Sequence, residues 1–502
     1  MTKLKHPKLH NPIEKQFNDI TRFHYFLFFL LFSSKLPIFW HILNLIFLSP
    51  PIDYICHDGS KNSTKNLCPC DVPIWDRSVF LETMQSKFGL HCNKYWLINF
   101  SHCINFLGLL IGGLVFGFLS DKFGRLKMYV TSCSILGVTG CLLTVMPTIA
   151  AFTLMRFLEG VGSGGAIITG YVLCIEYCGL RHREVITALY HVPINLSHIT
   201  LPVVSYLWRH FDHFQLAISI PIFLFIFVWW LAMESPKWLM DNDDIDKAVD
   251  VMEKYGKFNG RPCENIREQI EEFLDHHSNK SRRHMKFWEI FKHKTLSINL
   301  GCMSVVYFLC GIGYYGVSQM IGKMNGNIHI NVTVSGAMLL PGTIASIFLL
   351  KLLNRRTFLM STIFFSGLFM VIAVCIPFHL SWLRVLIACI CNCFFFMSFI
   401  IVFLYGVELF PTSVRNSALG FLSFLSRVGQ IAAPLVNDLH ETTSGIIFGV
   451  LALLGTVLCY LLPETKDVEL PSSLDDTKVL GRKKVLLEDD DNITINSPMQ
   501  IS

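Results

Sequence analysis

The chain has 502 residues, of which 52% are hydrophobic and only 16% are charged, and its mean hydropathy is +0.47. Soluble proteins carry about a quarter charged residues, so this composition excludes a typical soluble globular protein and indicates a chain that lies mostly in lipid. The net charge of +5 is not gathered in a basic stripe, and we therefore expect no nucleic-acid partner.

The N-terminal segment, residues 1–22, is too polar for a cleaved signal peptide and is expected to stay in the cytoplasm. About twelve apolar runs follow it, each long enough to cross a hydrocarbon core of about 30 Å. These predicted helices begin near residues 23, 95, 128, 149, 184, 213, 297, 329, 356, 381, 415 and 443. The sequence thus predicts an all-α, multi-pass membrane protein with the lipid bilayer as its surroundings.

Positively charged residues cluster in the short loops on one side of the predicted helices. They are Lys122, Arg125, Lys127, Arg181, Arg183, Lys351, Arg355 and Arg356. Because Lys and Arg favour cytoplasmic loops, this side is predicted to be the cytoplasm. With an even number of helices, both termini should lie there.

The first long external segment, residues 49–94, is rich in cysteine. Its cysteines are Cys56, Cys68, Cys70 and Cys92. Disulfides persist outside the cell, and four cysteines allow three pairings, all of which the sequence leaves open. Asn62 begins a glycosylation sequon in this segment, and Asn331 begins another close to the membrane. A metal site at "CPC" is the alternative, but no histidine accompanies it at zinc-finger spacing.

Two polar segments interrupt the apolar pattern. Residues 240–293 contain the amphipathic stretches "DIDKAVDVMEKY" and "NIREQIEEFL", which predict short cytoplasmic helices. They form either a linker on the membrane surface or a lid under the two halves. The tail, residues 464–502, is polar and is predicted to be disordered and to hold no site.

Charged landmarks at the cytoplasmic helix ends recur in the second part of the chain. Arg125 and Arg355 are 230 residues apart (355 − 125), and Glu234 of "ESPK" and Glu464 of "PETK" have the same separation (464 − 234). The repeat predicts two six-helix halves, residues 23–239 and 294–463. This is the arrangement of major facilitator transporters, whose substrate site lies between the halves near the membrane midplane.

The stretch "GFLSDKFGRLK" resembles the signature loop between helices two and three of the major facilitator superfamily. Gly117 would allow close helix approach, Gly124 a tight turn, and Asp121 could accept hydrogen bonds from Arg125 or from the other half. The proposed cytoplasmic gate residues are Gly117, Asp121, Lys122, Gly124, Arg125, Glu176, Arg183, Glu234, Glu408 and Arg415. An ordinary charged helix stop is the alternative. The matching "LLKLLNRR" has Lys351 in place of the aspartate and looks degenerate.

Further motifs indicate which family within this superfamily the chain resembles. "RFLEGVGSGG", "ESPKWL", "ELFPTSVRN", "YYG" and the cysteine-bearing external loop together resemble the organic cation, anion and carnitine transporter family, from about residue 16 to 465. Sugar porters share motifs close to ESPKW and PETK but lack the large cysteine-rich loop. "GVGSGG" mimics a dinucleotide loop, but it lies inside a predicted membrane helix, where Gly160 and Gly164 should serve helix packing. We expect no cofactor and no metal.

Ionisable residues at membrane depth are the first substrate-site candidates. Arg427 lies twelve residues beyond Arg415, about 18 Å into the membrane. The resembling family typically has a basic residue here in anion and carnitine carriers, which implies a carboxylate-bearing substrate; the alternative is a structural pair with Glu159. Lys35 would add to a positive cavity or snorkel to the surface. Arg156 and Glu159 have helical spacing and could neutralise each other.

Aromatic residues form the second set of substrate-site candidates. Six of them fall at positions that line the cavity in the resembling family, and at least half are expected to reach it: Tyr206, Tyr307, Tyr314, Tyr315, Phe399 and Phe403. Leu339 occupies a position where that family usually has an acid, which weakens a cation interpretation.

These features predict a plasma-membrane carrier of small organic ions that works as a monomer by alternating access. It should prefer organic anions or carboxylate zwitterions such as carnitine-like compounds. The alternatives are an organic cation carrier that uses Glu159 as counter-charge, or a non-transporting solute receptor on the same fold. The sequence shows no combination of a nucleophile and a general base that is typical of an active site, so we do not expect the protein to be an enzyme.

Overall fold

The computed structural model describes residues 12–50, 52–56, 65–179, 182–261, 265–278, 287–410 and 414–466. Eleven helices in these ranges are long and apolar enough to cross a membrane. A twelfth segment is divided into two shorter helices. In chain order, α1 to α12 are Arg22–Leu43, Trp96–Phe123, Arg125–Leu142, Ile149–Glu176, the pair Arg183–Leu189 and Val192–Leu207, Phe211–Leu224, Lys294–Lys323, Ile328–Leu352, Arg355–Cys375, Ser381–Leu409, Arg415–Val436 and Glu441–Cys459.

The predicted helix starts lie within three residues of those in the structure. The agreement follows because each start marks the point where an apolar run meets polar loop residues, and that boundary is local in sequence. The break in α5 falls at Tyr190 and His191. Pro193 follows it and lacks the amide hydrogen that would continue the bonding of the first piece.

The two halves repeat the same helix packing. In the first half, α1 packs on α4 and α5, α2 on α4, and α3 on α4 and α6. In the second half, α7 packs on α10 and α11, α8 on α10, and α9 on α10 and α12. Between the halves, α5 packs on α8 and α2 on α11. The predicted all-α fold with two six-helix halves is therefore confirmed.

Glycines form the seam between α2 and α4. A Cβ atom at Gly160 would collide with the carbonyl oxygen of Asn105, and one at Gly164 with that of Leu109. Small residues let membrane helices approach until their backbones touch. The "GVGSGG" stretch thus serves helix packing, as predicted.

The segment after α1, predicted to be external, forms a small cap. Strands β1, Tyr54–Cys56, and β2, Pro73–Trp75, pair antiparallel. Disulfides join Cys56 to Cys70 and Cys68 to Cys92, which selects one of the three pairings. Asn62 lies outside the described residues. Asn331 is buried in α8 and donates to the carbonyl oxygen of Met324 at 3.3 Å, so the second sequon is not accessible in this structure.

The segment between the halves forms two amphipathic helices, Ile245–Asn259 and Ile266–Ser278. The first contacts α1, and the second contacts the N-terminal helix Pro12–Gln16. Tyr255 packs edge-on against Phe17 at a ring-centroid distance of 5.1 Å. These contacts attach the segment to the end of the first half where α1 begins.

Candidate substrate-binding site

A cavity of about 140 Å³ lies between the two halves, with walls from α1, α4, α5, α7, α10 and α11. Six of the predicted residues line it: Lys35, Tyr314, Tyr315, Phe399, Phe403 and Arg427. Sequence reasoning missed the other eleven lining residues, five of which are ring side chains: Phe39, Tyr171, Tyr190, His191 and Phe396. The wall is mainly aromatic and can hold a flat organic body.

Arg427 presents its guanidinium from α11. Its Nη1 donates to Oε1 of Gln430 at 3.0 Å, and the hydroxyl of Tyr315 lies beside it. Among the described residues, no carboxylate oxygen lies within 4.0 Å of this guanidinium. Most of its five donors therefore remain available to a solute.

Lys35 is 3% exposed and points into the protein, so the alternative that it snorkels to the surface is wrong. Its Nζ donates to the carbonyl oxygen of Tyr190 and lies 3.4 Å from the centroid of the Tyr190 ring. The break in α5 makes this possible, because the amide of Ile194 bonds to His191 and leaves the Tyr190 carbonyl available. Lys35 also has no carboxylate partner among the described residues.

Glu159 does not line the cavity. It is fully buried in the first half, where it accepts from Nη1 of Arg156 at 2.6 Å and from Nε2 of Gln215 at 3.2 Å. Nδ1 of His41 bonds to the same carboxylate. The expectation that Glu159 contacts substrate, and the alternative that it pairs with Arg427, are both wrong, because other groups already occupy its oxygens.

Two predicted aromatic residues also lie elsewhere. Tyr206 is 66% exposed, and its ring contacts that of His329 beside the outer part of α5. Tyr307 is buried and donates its hydroxyl to the carbonyl oxygen of Val402 at 3.1 Å. Tyr314 differs from both. Its hydroxyl is buried at the cavity and has no hydrogen-bond partner in the described part of the chain.

The loop between α2 and α3 forms a charged network, called here the first inner network. Arg125 bonds to Asp121 and, through Nε, to Glu176 at 3.0 Å. Glu234 accepts from the backbone amides of Arg125 at 2.9 Å and Leu126 at 3.1 Å. A carboxylate in this position satisfies the free amides and the positive dipole at the start of α3.

The second inner network repeats this arrangement in the other half. Nε of Arg355 donates to Glu408 at 3.2 Å. Glu464 accepts from the backbone amides of Arg355 at 2.7 Å and Arg356 at 3.2 Å. This network lacks the aspartate arm, and Nη1 of Arg355 donates to the Leu350 carbonyl at 2.6 Å.

The remaining gate predictions have mixed outcomes. Gly124 has φ +109°, and a Cβ there would collide with Glu234, so the glycine is required. A Cβ at Gly117 would meet nothing within 4 Å, so its predicted role in close helix approach is wrong in this conformation. Lys122 is exposed. The side chains of Arg183 and Arg415 lie outside the described residues.

Polar contacts lie at the ends of the helices opposite the inner networks, called here the outer ends, and no sequence motif predicted them. Nδ2 of Asn99 donates to Asp438 at 2.6 Å, and Nζ of Lys323 donates to the carbonyl oxygen of Asn437 at 2.9 Å. These residues sit at the outer ends of α2, α7 and α11, far apart in sequence. Only the fold brings them together. The Asn99–Asp438 bond joins the two halves, and the Lys323–Asn437 bond joins α7 to the residue after α11 within the second half.

One group in the described ranges has metal-ligand chemistry. Glu82, His210 and Asp212 are partly exposed and place ligand atoms within 4.8 Å of one another. Nζ of Lys87 bonds to Asp212, so a cation already occupies one of the three ligands. This arrangement gives no reason to change the expectation that the protein needs no metal.

Comparison with known proteins extends these observations. The family model "Sugar (and other) transporter" matches residues 58–472. Solute carrier family 22 member 3 of Rattus norvegicus is 30% identical, over 84% of this chain and 77% of that protein. Organic cation transporter protein of Drosophila melanogaster is 28% identical, over 84% and 78%, and organic anion transporter 3 of Homo sapiens is 27% identical, over 86% and 80%.

Among solved structures, the inward open conformation of the xylose transporter XylE from E. coli is similar, with a TM-score of 0.66. The alignment covers 91% of this chain and 99% of that chain at 16% identity. At this level of identity the similarity concerns the fold alone. It confirms the predicted major facilitator architecture.

Proposed function

Because the chain belongs to the sugar (and other) transporter family and, within it, to solute carrier family 22, we propose that it carries small organic anions and carboxylate zwitterions, such as carnitine-like compounds. It is a multi-pass membrane transporter of small organic substrates and not an enzyme. Its relatives include both cation and anion transporters, so family membership leaves the sign of the substrate charge open.

The observation that supports an anionic substrate is the charge of the cavity wall. Lys35 and Arg427 both line it, and its described lining residues include no aspartate and no glutamate. Charges removed from water are costly when they lack an opposite charge. A substrate carboxylate would supply that charge, whereas an organic cation would meet repulsion. The alternative cation carrier also loses its proposed counter-charge, since Glu159 is engaged inside the first half.

The wall suggests how such a solute would bind. The guanidinium of Arg427 can hold a carboxylate through two parallel hydrogen bonds, a geometry that a lysine cannot reproduce. The hydroxyl of Tyr314 offers a further hydrogen bond, and the aromatic rings enclose the organic body. In alternating access, the contacts between the halves on the outer side would break, and the cavity would then open to that side. We propose that the monomer does this in the plasma membrane, with both termini in the cytoplasm.

The test is concentration-dependent uptake of one labelled aromatic carboxylate and one labelled quaternary ammonium, corrected for surface protein. Arg427→Ala should abolish carboxylate uptake. Arg427→Lys should cause a partial loss, because the positive charge remains but the two parallel hydrogen bonds of the guanidinium are lost. Arg384→Lys is the matched control, since Arg384 pairs with Glu441 at 3.0 Å and does not line the cavity. Wild-type uptake of the ammonium alone, unchanged in Arg427→Ala, would contradict the proposal.

A further inference from the structure

His41 of α1 and Glu159 of α4 form a buried pair that lies outside the substrate cavity. Both side chains are 0% exposed, and Nδ1 of His41 bonds to Oε1 of Glu159. Arg156 donates to the other carboxylate oxygen at 2.6 Å, and Gln215 of α6 donates to Oε1 at 3.2 Å. Side chains from three helices therefore fix the pair in one arrangement.

The second ring nitrogen of His41 has no partner. Nε2 is buried and makes no hydrogen bond within the described part of the chain. When Nδ1 donates its proton to the carboxylate, Nε2 carries a lone pair that can accept a proton. Arg156 already balances the charge of Glu159, so the group is neutral with a neutral His41 and gains one positive charge when it takes up a proton.

We propose that His41 and Glu159 form a proton-binding site, and that a proton crosses the membrane together with each organic anion. The second part rests on the proposed anion transport. One proton and one monovalent anion carry no net charge across the membrane, so their joint movement is not opposed by the membrane potential. The pair takes up the proton from the side of the membrane on which the anion enters the cavity. It releases the proton to the opposite side of the membrane.

The first membrane helix links the two sites. Lys35 lines the cavity, and His41 lies about 9 Å further along α1. Pro37 stands between them and lacks an amide hydrogen, which allows the helix to bend at this point. Movement of α1 around a bound anion would therefore change the packing of His41 against α4.

The other groups that face the pair are few in the described chain. Arg156 of α4 is one charged neighbour, and His102 of α2 lies near Arg156 while its Nε2 bonds to Ser49 at 2.7 Å. Gly140 of α3 packs against the His41 ring, and Gln215 and Ser219 come from α6. Gly140, Gln215 and Ser219 do not titrate, the Arg156 guanidinium stays charged, and His102 bonds to Ser49 rather than to the pair. Among these groups, His41 and Glu159 are therefore the ones that can bind a proton within the pair.

The proton site is tested by infrared difference spectroscopy of the full-length protein in lipid nanodiscs, between about pH 5 and pH 8, where histidines titrate. The method records protonation of both carboxyl and imidazole groups. Wild type should show bands that vanish in His41→Gln and in Glu159→Gln. The amide of His41→Gln can still donate to Glu159 and leaves the pair with Arg156 intact, which protects folding. The matched control, His102→Gln, should keep the bands. A His41→Gln spectrum identical to wild type would overturn the site.

Coupling is tested in proteoliposomes at clamped voltage, with a pH indicator inside. The probes are labelled naphthalenesulfonate and labelled benzyltrimethylammonium, which keep their charges at every pH and carry no proton themselves. An outside-acid gradient should accumulate the sulfonate several-fold and acidify the interior in wild type but not in His41→Gln. Sulfonate uptake without proton movement would overturn the coupling. Transport of the ammonium alone would instead contradict the proposed function, and the infrared spectra would then decide the proton site separately.

Discussion

Tyr314 lines the cavity, and its buried hydroxyl makes no hydrogen bond within the described chain. Tyr314→Phe should therefore leave the folded protein intact and remove one hydrogen bond to the substrate, worth about 0.5–1.5 kcal/mol. We expect the KM for a carboxylate substrate to rise a few-fold with little change in thermal stability.

Tyr307→Phe is the matched control for this prediction. It removes the hydroxyl that donates to Val402 and should lower thermal stability without a comparable rise in KM. The measurements are uptake kinetics at equal surface abundance and thermal unfolding in detergent. An unchanged KM in Tyr314→Phe would remove this hydroxyl from the proposed site.

Charged residues inside the membrane divide into two groups by their partners. Arg156 is paired with Glu159 at 2.6 Å, and Arg384 with Glu441 at 3.0 Å, so these cations stabilise helix packing. Lys35 and Arg427 have no carboxylate partner in the described ranges and line the cavity. The difference in partners, rather than the depth in the membrane, singles out the candidate substrate residues.

At the scale of helices, the α2–α4 seam depends on glycine. Gly160→Ala should force the backbones apart, because its Cβ would collide with the Asn105 carbonyl, and overpacking of this kind costs about 1–3 kcal/mol. We expect less folded protein at the surface and a lower unfolding temperature. Gly420→Ala is the control, since a Cβ at that position in α11 meets nothing within 4 Å. Equal effects of the two substitutions would show that the seam is not the cause.

The first inner network makes a separate prediction about the α2–α3 loop. Asp121 is 67% exposed, and exposed ion pairs are worth only about 0–1 kcal/mol. Asp121→Asn should therefore leave surface abundance near normal but slow transport, because it changes the balance between conformations in which the network is closed and open. Unchanged uptake at equal abundance would reject a gating role. The intact bond between Arg125 and Glu176 in this variant keeps the loop folded.

At the scale of the whole molecule, the cap tests the topology. The disulfides Cys56–Cys70 and Cys68–Cys92 predict that a reducing agent shifts electrophoretic mobility. Asn62→Gln should remove most of the glycosidase-sensitive mass, measured on gels before and after enzymatic deglycosylation. Glycan at Asn492 in the C-terminal tail would contradict cytoplasmic termini.

The internal repeat is visible in the charged contacts of the two halves as well as in the sequence. Glu234 and Glu464 each accept hydrogen bonds from the amides that begin the third helix of their half, and Arg125 and Arg355 each bond to the glutamate that ends the fourth. The second network was predicted to be degenerate from Lys351. It lacks the aspartate arm but keeps the arginine–glutamate bond and the glutamate bonds to the helix amides. Both halves therefore carry a charged network at the same ends of their helices, which are predicted to be cytoplasmic.

The sequence by itself determined the helices and the two halves, and it pointed to several residues that the structure brings into the inner networks, among them Arg125, Glu176 and Glu234. Each helix begins and ends where an apolar run long enough to cross the membrane meets polar residues. A repeated spacing of charged residues identifies equivalent loop positions in the two halves. Only the tertiary structure decided the partners of Glu159 and the positions of Tyr206 and Tyr307. The reason is that the rotation and tilt of each helix depend on packing against all its neighbours. Local composition places a residue at a depth in the membrane, but not on the side of the helix that meets the cavity.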